Sequence, residues 1–352
     1  MQINGKRILV TGGTGSLGQV LVRRLLSGEF GEPEKIVVFS RDEARQHAMR
    51  LRFQHLGAAT DEIIFAGWTK RLAFRIGDIR DIDSVRAAVR DADIVINAAA
   101  MKQVPTCEYF PEEAHQTNVG GALNLFRAIR DLARPPEVVV GVSTDKAAKP
   151  VNVMGITKAL QERVLVRANL DCPATRFVAV RYGNVIASRG SVVPLFLEQI
   201  RRGGPITITD RRMTRFLMSL DDAVNIIADA VAQALAGEIL VPVAPSARMT
   251  DLARALCGTT DIPLTTTGIR PGEKLHEILI SEEEVPRTCR RGPHFAIRPM
   301  LPELDLAEHP APALDREYSS ADNVVDIDAL RALLAPGGRL HHGAEASDDA
   351  FL

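Results

Sequence analysis

Three successive residues, Thr144, Asp145 and Lys146, place a hydroxyl, a carboxyl and an amine side by side. Such a set can take one proton, give another and steady a developing anion, which is what removal of water from a carbon skeleton requires. The surrounding stretch, Ser143 to Lys158, reads S-T-D-K-A-A-K-P-V-N-V-M-G-I-T-K. Met154 and Lys158 are four apart and share one face of a helix. Lys158 can set a positive charge beside a reacting centre, whereas the thioether of Met154 cannot exchange a proton. Alone, an Asp-Lys dipeptide is usually an inert ion pair, and a Met-x-x-x-Lys is usually a helix with a buried methionine. Their occurrence together, following an apolar strand, favours chemistry.

A second motif supplies a cofactor site. Thr11-Gly12-Gly13-Thr14-Gly15-Ser16-Leu17-Gly18 gives G-x-x-G-x-x-G between an apolar strand and an apolar-periodic helix. Gly12 permits the turn, Gly15 lets the backbone approach a pyrophosphate, and Gly18 lets the helix pack on the strand. The N–H groups of Thr14, Ser16 and Leu17 lie where an anion is held. At the end of the next strand stand Ser40, Arg41 and Asp42. A hydroxyl and a guanidinium suit a 2′-phosphate, so NADP is favoured, with NAD the alternative if Asp42 turns inward. Asp78, with Ile79, reads equally as an adenine contact or as a helix cap. Ala98 and Ala99 end a strand with small side chains against which a cofactor can lie.

These groups need a scaffold that gathers them. Arg7–Thr11, Lys35–Ser40, Phe74–Ile76, Ile94–Ala98, Val138–Ser143 and Phe177–Arg181 read as buried parallel strands with helical patterns between them. The fold class is therefore α/β, a doubly wound parallel sheet with a smaller mixed part. Residues 1–182 with about 206–240 are predicted to form the dinucleotide-binding domain. Residues of about 183–205 with 241–300 form the second, and 301–352 an extension with one short helix capped by Asp326. Leu56 to Leu72, carrying Trp68, reads as a surface insertion, and the tail from Pro336 as frayed.

Bulk composition narrows the class. A formal charge of −1 over 352 residues gives no global attraction to nucleic acid or anionic membranes. Four cysteines without CxxC spacing exclude a disulfide framework and point to a reduced cytoplasm. No stretch approaches the roughly 18 apolar residues of a membrane span, and the N-terminus is too short in apolar run for a signal segment. A soluble protein without a metal site is expected.

The segments Ala98–Pro105 (A-A-A-M-K-Q-V-P), Ser143–Ala147 (S-T-D-K-A), Arg181–Asn184 (R-Y-G-N), Arg189–Ser191 (R-G-S), Met213–Phe216 (M-T-R-F) and Arg270–Lys274 (R-P-G-E-K) occur in this order. In that set the chain resembles the nucleotide-sugar 4,6-dehydratases of bacterial polysaccharide biosynthesis, extended short-chain dehydrogenase/reductases acting on UDP-N-acetylglucosamine. The resemblance runs from about Arg7 to about Ile280. Many relatives carry a Tyr where Met154 stands. The Met variant, with its distal Tyr318 to Leu334 segment, is most similar to the C5-inverting capsule and O-antigen enzymes.

The resemblance implies a Rossmann-type fold, transient oxidation at sugar C4 and net loss of water. Thr144, or water beside Lys158, receives the C4 hydroxyl proton. Lys146 is the C5 base, which requires a lowered pKa, and Asp145 the acid for the C6 hydroxyl, which requires a raised one. Lys158 bonds the nicotinamide ribose. By the same resemblance Lys102 lines the site near C4 to C6 and touches the cofactor, with Glu108 placed to orient it, although a solvated loop charge is the bland reading. Asn184, Arg189, Arg215, Arg270 and Glu273 are the nucleotide-sugar contacts, Arg215 and Arg270 clamping the diphosphate. Glu273 could instead bridge subunits, and Arg211 to Arg215 could be a nucleic-acid patch, which the near-neutral chain disfavours. Relatives form homo-oligomers, often hexamers. The rival readings are a 4-epimerase or ketoreductase on the same fold, which need the tyrosine, and a catalytically dead NADP-binding sensor.

Overall fold

The computed structural model describes residues 3–54, 71–186, 192–258, 260, 262–305 and 310–335. The expected Arg189 contact, most of the expected insertion (including Trp68) and the tail from Pro336 lie outside the described residues. The strands in chain order are β1 (Arg7–Thr11), β2 (Lys35–Ser40), β3 (Leu72–Ile76), β4 (Ile94–Asn97), β5 (Val138–Val142) and β6 (Arg176–Val180). There follow β7 (Asn184–Val185), β8 (Ile206–Ile208), β9 (Thr214–Met218), β10 (Ile239–Val241), β11 (Ser246–Arg248) and β12 (Leu264–Thr266). The last four are β13 (Ile278–Ile280), β14 (Thr288–Arg291), β15 (His294–Ile297) and β16 (Tyr318–Ser319).

One large sheet has the order β3-β2-β1-β4-β5-β6-β10-β15-β14. The first seven are parallel, and β15 and β14 close the edge antiparallel. The central strands are almost continuously apolar because helices cover both faces, leaving neither face for polar alternation. The strand order reverses between β1 and β4, and the crevice at the carboxyl ends of those strands is where ligands bind in such sheets. This is the doubly wound Rossmann topology. Leu220–Gln233 packs against it, burying Ala223, Val224, Ile227 and Val231 with Ile8 and Val10. Ser219 and Asp222 cap that helix reciprocally, an arrangement worth about 1 kcal/mol.

The smaller part has its own apolar cluster, built from Val193, Phe196, Ile206, Met213, Leu217 and Leu252. Two expected boundaries need correction. Residues 206–218, assigned from the sequence to the large domain, belong here, because β8 pairs with β12, and β9 lies between β7 and β11. Conversely, residues 288–297 join the large sheet through β10. Neither pairing was visible in local periodicity, because short strands read alike wherever they dock. The extension packs on both parts: β16 pairs with β13, and Ile327–Leu334, capped by Asp326, sends Leu330 into the smaller core. Among the described residues no helix is long and apolar enough to cross a membrane.

Candidate active site

The glycine turn fits closely against the neighbouring strand. Gly12 has φ +66°, the left-handed region that disfavours side chains, and a Cβ there would lie 2.7 Å from Ala99 N and 2.8 Å from the Ala98 carbonyl. A Cβ on Gly18 would fall 2.4 Å from Gly13 Cα, so helix and turn meet without room for a methyl group. Gly15 begins the helix Ser16–Leu26 with no side-chain cap and no acidic residue in the first turn. Among the described residues no side chain caps the positive end of that helix, which suits an anion. Gly12→Ala is expected to weaken dinucleotide binding at least tenfold and to lower the melting temperature, since backbone strain of this kind costs about 1–3 kcal/mol. Calorimetric titration with NADP and a thermal melt would check both.

At the end of β2, the Thr14 hydroxyl donates to Ser40 Oγ at 3.1 Å. Asp42 faces its own helix, accepting from Arg45 N–H at 3.0 Å and pairing with Arg45 Nε at 3.2 Å, while Arg41 is largely exposed. Asp78 is not the helix cap; Asp81 caps Ile82–Val89. Asp78 is instead bound by Arg80, at 2.7 Å, with Arg41 3.9 Å away. Burial alone would raise its carboxyl, but the Arg80 and Arg41 contacts outweigh burial and hold it below its ordinary value. The side chain of Ile79 is buried beneath Gly121, and its carbonyl accepts from Asn124.

The acid–base turn follows β5 directly. Ser143 N–H bonds the Val180 carbonyl, and Asp145 N–H bonds that of Tyr182, which brings Gly183 and Asn184 alongside. Thr144 starts the single turn Asp145–Ala147, and its hydroxyl donates to Asp145 Oδ1 at 2.9 Å. Lys146 Nζ lies 3.1 Å from Asp145 Oδ1 and also 3.1 Å from Glu277 Oε1. Asp145 and Glu277 are buried, and among the described residues Oδ2 of the first and Oε2 of the second have no hydrogen-bond partner. Burial, with Glu277 adding to it, raises the Asp145 carboxyl despite the ammonium beside it. The expected fall at Lys146 is not found. Burial alone would lower it, but Asp145 and Glu277 outweigh burial and raise its pKa, so the resting group is an ammonium.

Glu277 was missed in the sequence. Its partner lies far away along the chain and no spacing rule links them. The one available signal was a carboxylate directly preceding the apolar run Ile278-Leu279-Ile280, a position that forces burial.

The helix Val153–Asp171 is capped by Asn152, and Glu108 accepts from Val153 N–H at 2.7 Å. Glu108 therefore holds the start of this helix rather than serving only the exposed Lys102 loop. Met154 is buried in an apolar patch with Cys107, Ala114, Met101, Val104 and Val153. Lys158 is buried too, donating to the Val142 carbonyl at 2.5 Å and to Gln161 Oε1 at 2.6 Å, and burial lowers its pKa to about 8.

The segment 270–277 runs along this turn. Asn152 donates to the Gly272 carbonyl at 2.9 Å, and Lys274 to the Ala148 carbonyl at 2.6 Å. Arg215 is nearby, but its guanidinium is buried and taken up by the carbonyls of Thr214, Leu275 and Lys274, with Glu277 3.6 Å from Nε. That arrangement differs from the expected free diphosphate clamp, since the donors already have acceptors. Arg270 is exposed, while Asn184 Oδ1 and Glu273 Oε2 are buried and have no partner among the described residues.

A family model described as "Polysaccharide biosynthesis protein" matches residues 8–299. The chain belongs to this family. Within it, the UDP-N-acetylglucosamine 4,6-dehydratase (inverting) of Campylobacter jejuni subsp. jejuni serotype O:23/36 (strain 81-176) is 41% identical over 305 residues, spanning 86% of this chain and 85% of that protein. A UDP-glucose 4-epimerase of Rickettsia bellii (strain OSU 85-389) is 40% identical over 311 residues, 86% of each. Among solved structures, the X-ray structure of Pen from Bacillus thuringiensis superposes with a TM-score of 0.83 at 33% identity, covering 95% of this chain and 98% of that one. The dTDP-glucose 4,6-dehydratase DesIV from Streptomyces venezuelae shares the fold, with a TM-score of 0.64 at 23% identity over 76% of this chain and 86% of that one.

Proposed function

We propose that this member of the family is a nucleotide-sugar 4,6-dehydratase, with UDP-N-acetylglucosamine as substrate, inversion at C5 and NADP as cofactor. The observation that carries the reading is the buried Asp145–Lys146–Glu277 group at the end of β5, with an apolar Met154 beside it. Elimination needs an acid and a base of its own, and this group offers both. The tight Gly12–Ala99 approach and the uncapped first turn after Gly15 fit a dinucleotide. A bound nicotinamide would supply temporary hydride storage, so no net oxidation results.

The residues then divide the work. The C4 hydroxyl proton is relayed through Thr144 Oγ, or a water next to Lys158, to the Lys158 amine, whose pKa burial lowers to about 8. Lys146 takes the C5 proton made acidic by the C4 ketone, a role that requires its resting ammonium to give up its proton first. Asp145 gives its proton to the C6 hydroxyl, which leaves as water. Lys158 and Lys102 line the cofactor and sugar, and Asn184, Arg189, Arg270 and Glu273 recognise the nucleotide. Arg215 reaches a diphosphate by exchanging one of its backbone carbonyls for it. Release from the enzyme yields a 4-keto-6-deoxy sugar for glycan assembly. A closed homo-oligomer, a hexamer by resemblance, is part of this reading and is checked by sedimentation.

The Rickettsia relative supports a second reading, 4-epimerisation. Proton NMR of the product from UDP-N-acetylglucosamine decides: loss of the C6 hydroxyl with an inverted C5 supports the dehydratase, and a C4 epimer with C6 intact overturns it. For the cofactor, the outward Arg41 and the engaged Asp42 favour NADP. Arg41→Ala is expected to reduce the ratio of NADP to NAD affinity by about tenfold, the loss of one charge-assisted contact. An unchanged ratio in paired titrations would place the discrimination elsewhere.

A further inference from the structure

Glu277 is held in place by the extension that follows it. Its N–H bonds Ser320 Oγ at 2.9 Å, and its carbonyl accepts from Ser320 N–H at 2.8 Å. Ser320 is fully buried and also bonds the Thr214 hydroxyl at 2.7 Å, so the extension after β16 fixes this carboxylate. The carboxylate itself reaches across to the acid–base turn, where Lys146 Nζ sits equidistant between it and Asp145.

Two buried carboxyl groups thus face one ammonium. Arg215 from β9 and Lys274 from the segment before β13 also face Glu277, and Lys146 and the Thr144 hydroxyl face Asp145. Two carboxylates sharing one ammonium away from water disfavour each other's charge, which favours a proton on one of them. Glu277 has Arg215 in addition to Lys146, which makes it the better-supported anion; burial alone would raise it, but those cations outweigh burial and lower it. Asp145, whose carboxyl burial and Glu277 raise, is then the group favoured to hold the proton, and among the described residues its Oδ2 has no partner.

We propose that Glu277 is a positioning residue that anchors Lys146 and, as the permanent anion of the group, keeps Asp145 in its acid form. Removing the charge while keeping the shape leaves Asp145 and Lys146 as a simple ion pair, in which the acid has already given up its proton. The proposal rests on the dehydratase reading for its catalytic meaning but not for its physical content. It also gives the C-terminal extension a task, since Ser320 is the clamp on Glu277.

Glu277→Gln tests it with two independent measurements. Infrared difference spectra are titrated for the carbonyl stretch of a buried carboxylic acid, assigned to Asp145 by its disappearance in Asp145→Asn. The wild type is expected to show this band at neutral pH. Glu277→Gln is expected to lose it to lower pH by at least one unit, and Glu277→Asp, which keeps the charge, to retain it. Turnover of UDP-N-acetylglucosamine by Glu277→Gln is expected to fall at least tenfold in kcat with KM changed less than twofold, and to recover partly in Glu277→Asp. A band that titrates identically in wild type and Glu277→Gln overturns the inference whatever the activity. A wild type that turns over no nucleotide sugar yet shows the expected infrared pattern overturns the dehydratase reading and leaves this inference standing.

Discussion

Lys146→Ala is expected to reduce turnover of UDP-N-acetylglucosamine by about 10² to 10⁴-fold, the usual contribution of a positioned proton-transfer group. NADP binding is expected to stay within about twofold of wild type, because the glycine turn lies at the end of β1 and does not depend on the lysine. Two effects act together. On the proposed reading the base for C5 is lost, and two carboxyl groups are left facing each other without the ammonium that Lys146 Nζ places 3.1 Å from each. Both carboxyls are expected to hold protons more tightly in the variant, so its residual activity is expected to shift rather than merely shrink across pH. Solvent deuterium appearing at sugar C5 at the wild-type rate in Lys146→Ala would remove Lys146 as the base.

Arg181→Leu is expected to have the largest effect on stability, on the order of 3–5 kcal/mol, because it strands two carboxylates in the interior. Arg181 is fully buried. Its Nε and Nη2 bond Glu162 at 3.0 and 2.7 Å, its Nη1 and Nη2 bond Glu284 at 2.7 and 2.9 Å, and Nη1 also reaches the Leu279 carbonyl. Burial alone would raise Glu284, but Arg181 outweighs it and depresses that carboxyl. In the wild type this pairing contributes stability above the ordinary carboxylate range and loses it as pH falls through the depressed value. In Arg181→Leu the carboxyls can protonate, so the gap in melting temperature between variant and wild type is expected to narrow as pH falls below about 5. A gap of less than a few degrees at pH 7 would show that the triad is not a structural keystone.

The same network reaches the candidate site. Glu162 lies one turn beyond Lys158 on the helix and accepts from the Ser143 hydroxyl at 2.5 Å, the residue immediately before Thr144. Leu279 and Glu284 lie just after Glu277. One guanidinium thus ties together the strand end, the lysine helix and the segment that carries the third member of the acid–base group. Partial loss of this tie is expected to reduce turnover without altering any group that touches the sugar.

What was legible in the residues was local chemistry. The glycine turn announces itself because φ +66° at Gly12 and the closeness of Gly18 to Gly13 permit nothing larger, and both constraints act within a few residues. The central parallel strands were legible because burial on both faces demands unbroken apolar runs. The hydroxyl–carboxyl–amine order of Thr144, Asp145 and Lys146 was readable for the same reason, as adjacent groups need no fold to meet. The family resemblance followed from several such local segments in order, and the match over residues 8–299 bears it out.

Proton positions were not legible. The sequence predicted a lowered pKa for Lys146, and the opposite sign arises because Asp145 and Glu277 together outweigh burial, Glu277 being brought within 3.1 Å by the tertiary fold. Arg215 looked like a free cation until β9 placed it under the carbonyls of the 274–275 segment. The placement of β8 and of β14–β15 likewise depended on which strand edge was vacant after the others had paired. The chain's order of residues fixes which groups exist and what each can do alone; electrostatic fields and edge pairing sum over distant neighbours, so they come into being only when the tertiary fold is complete.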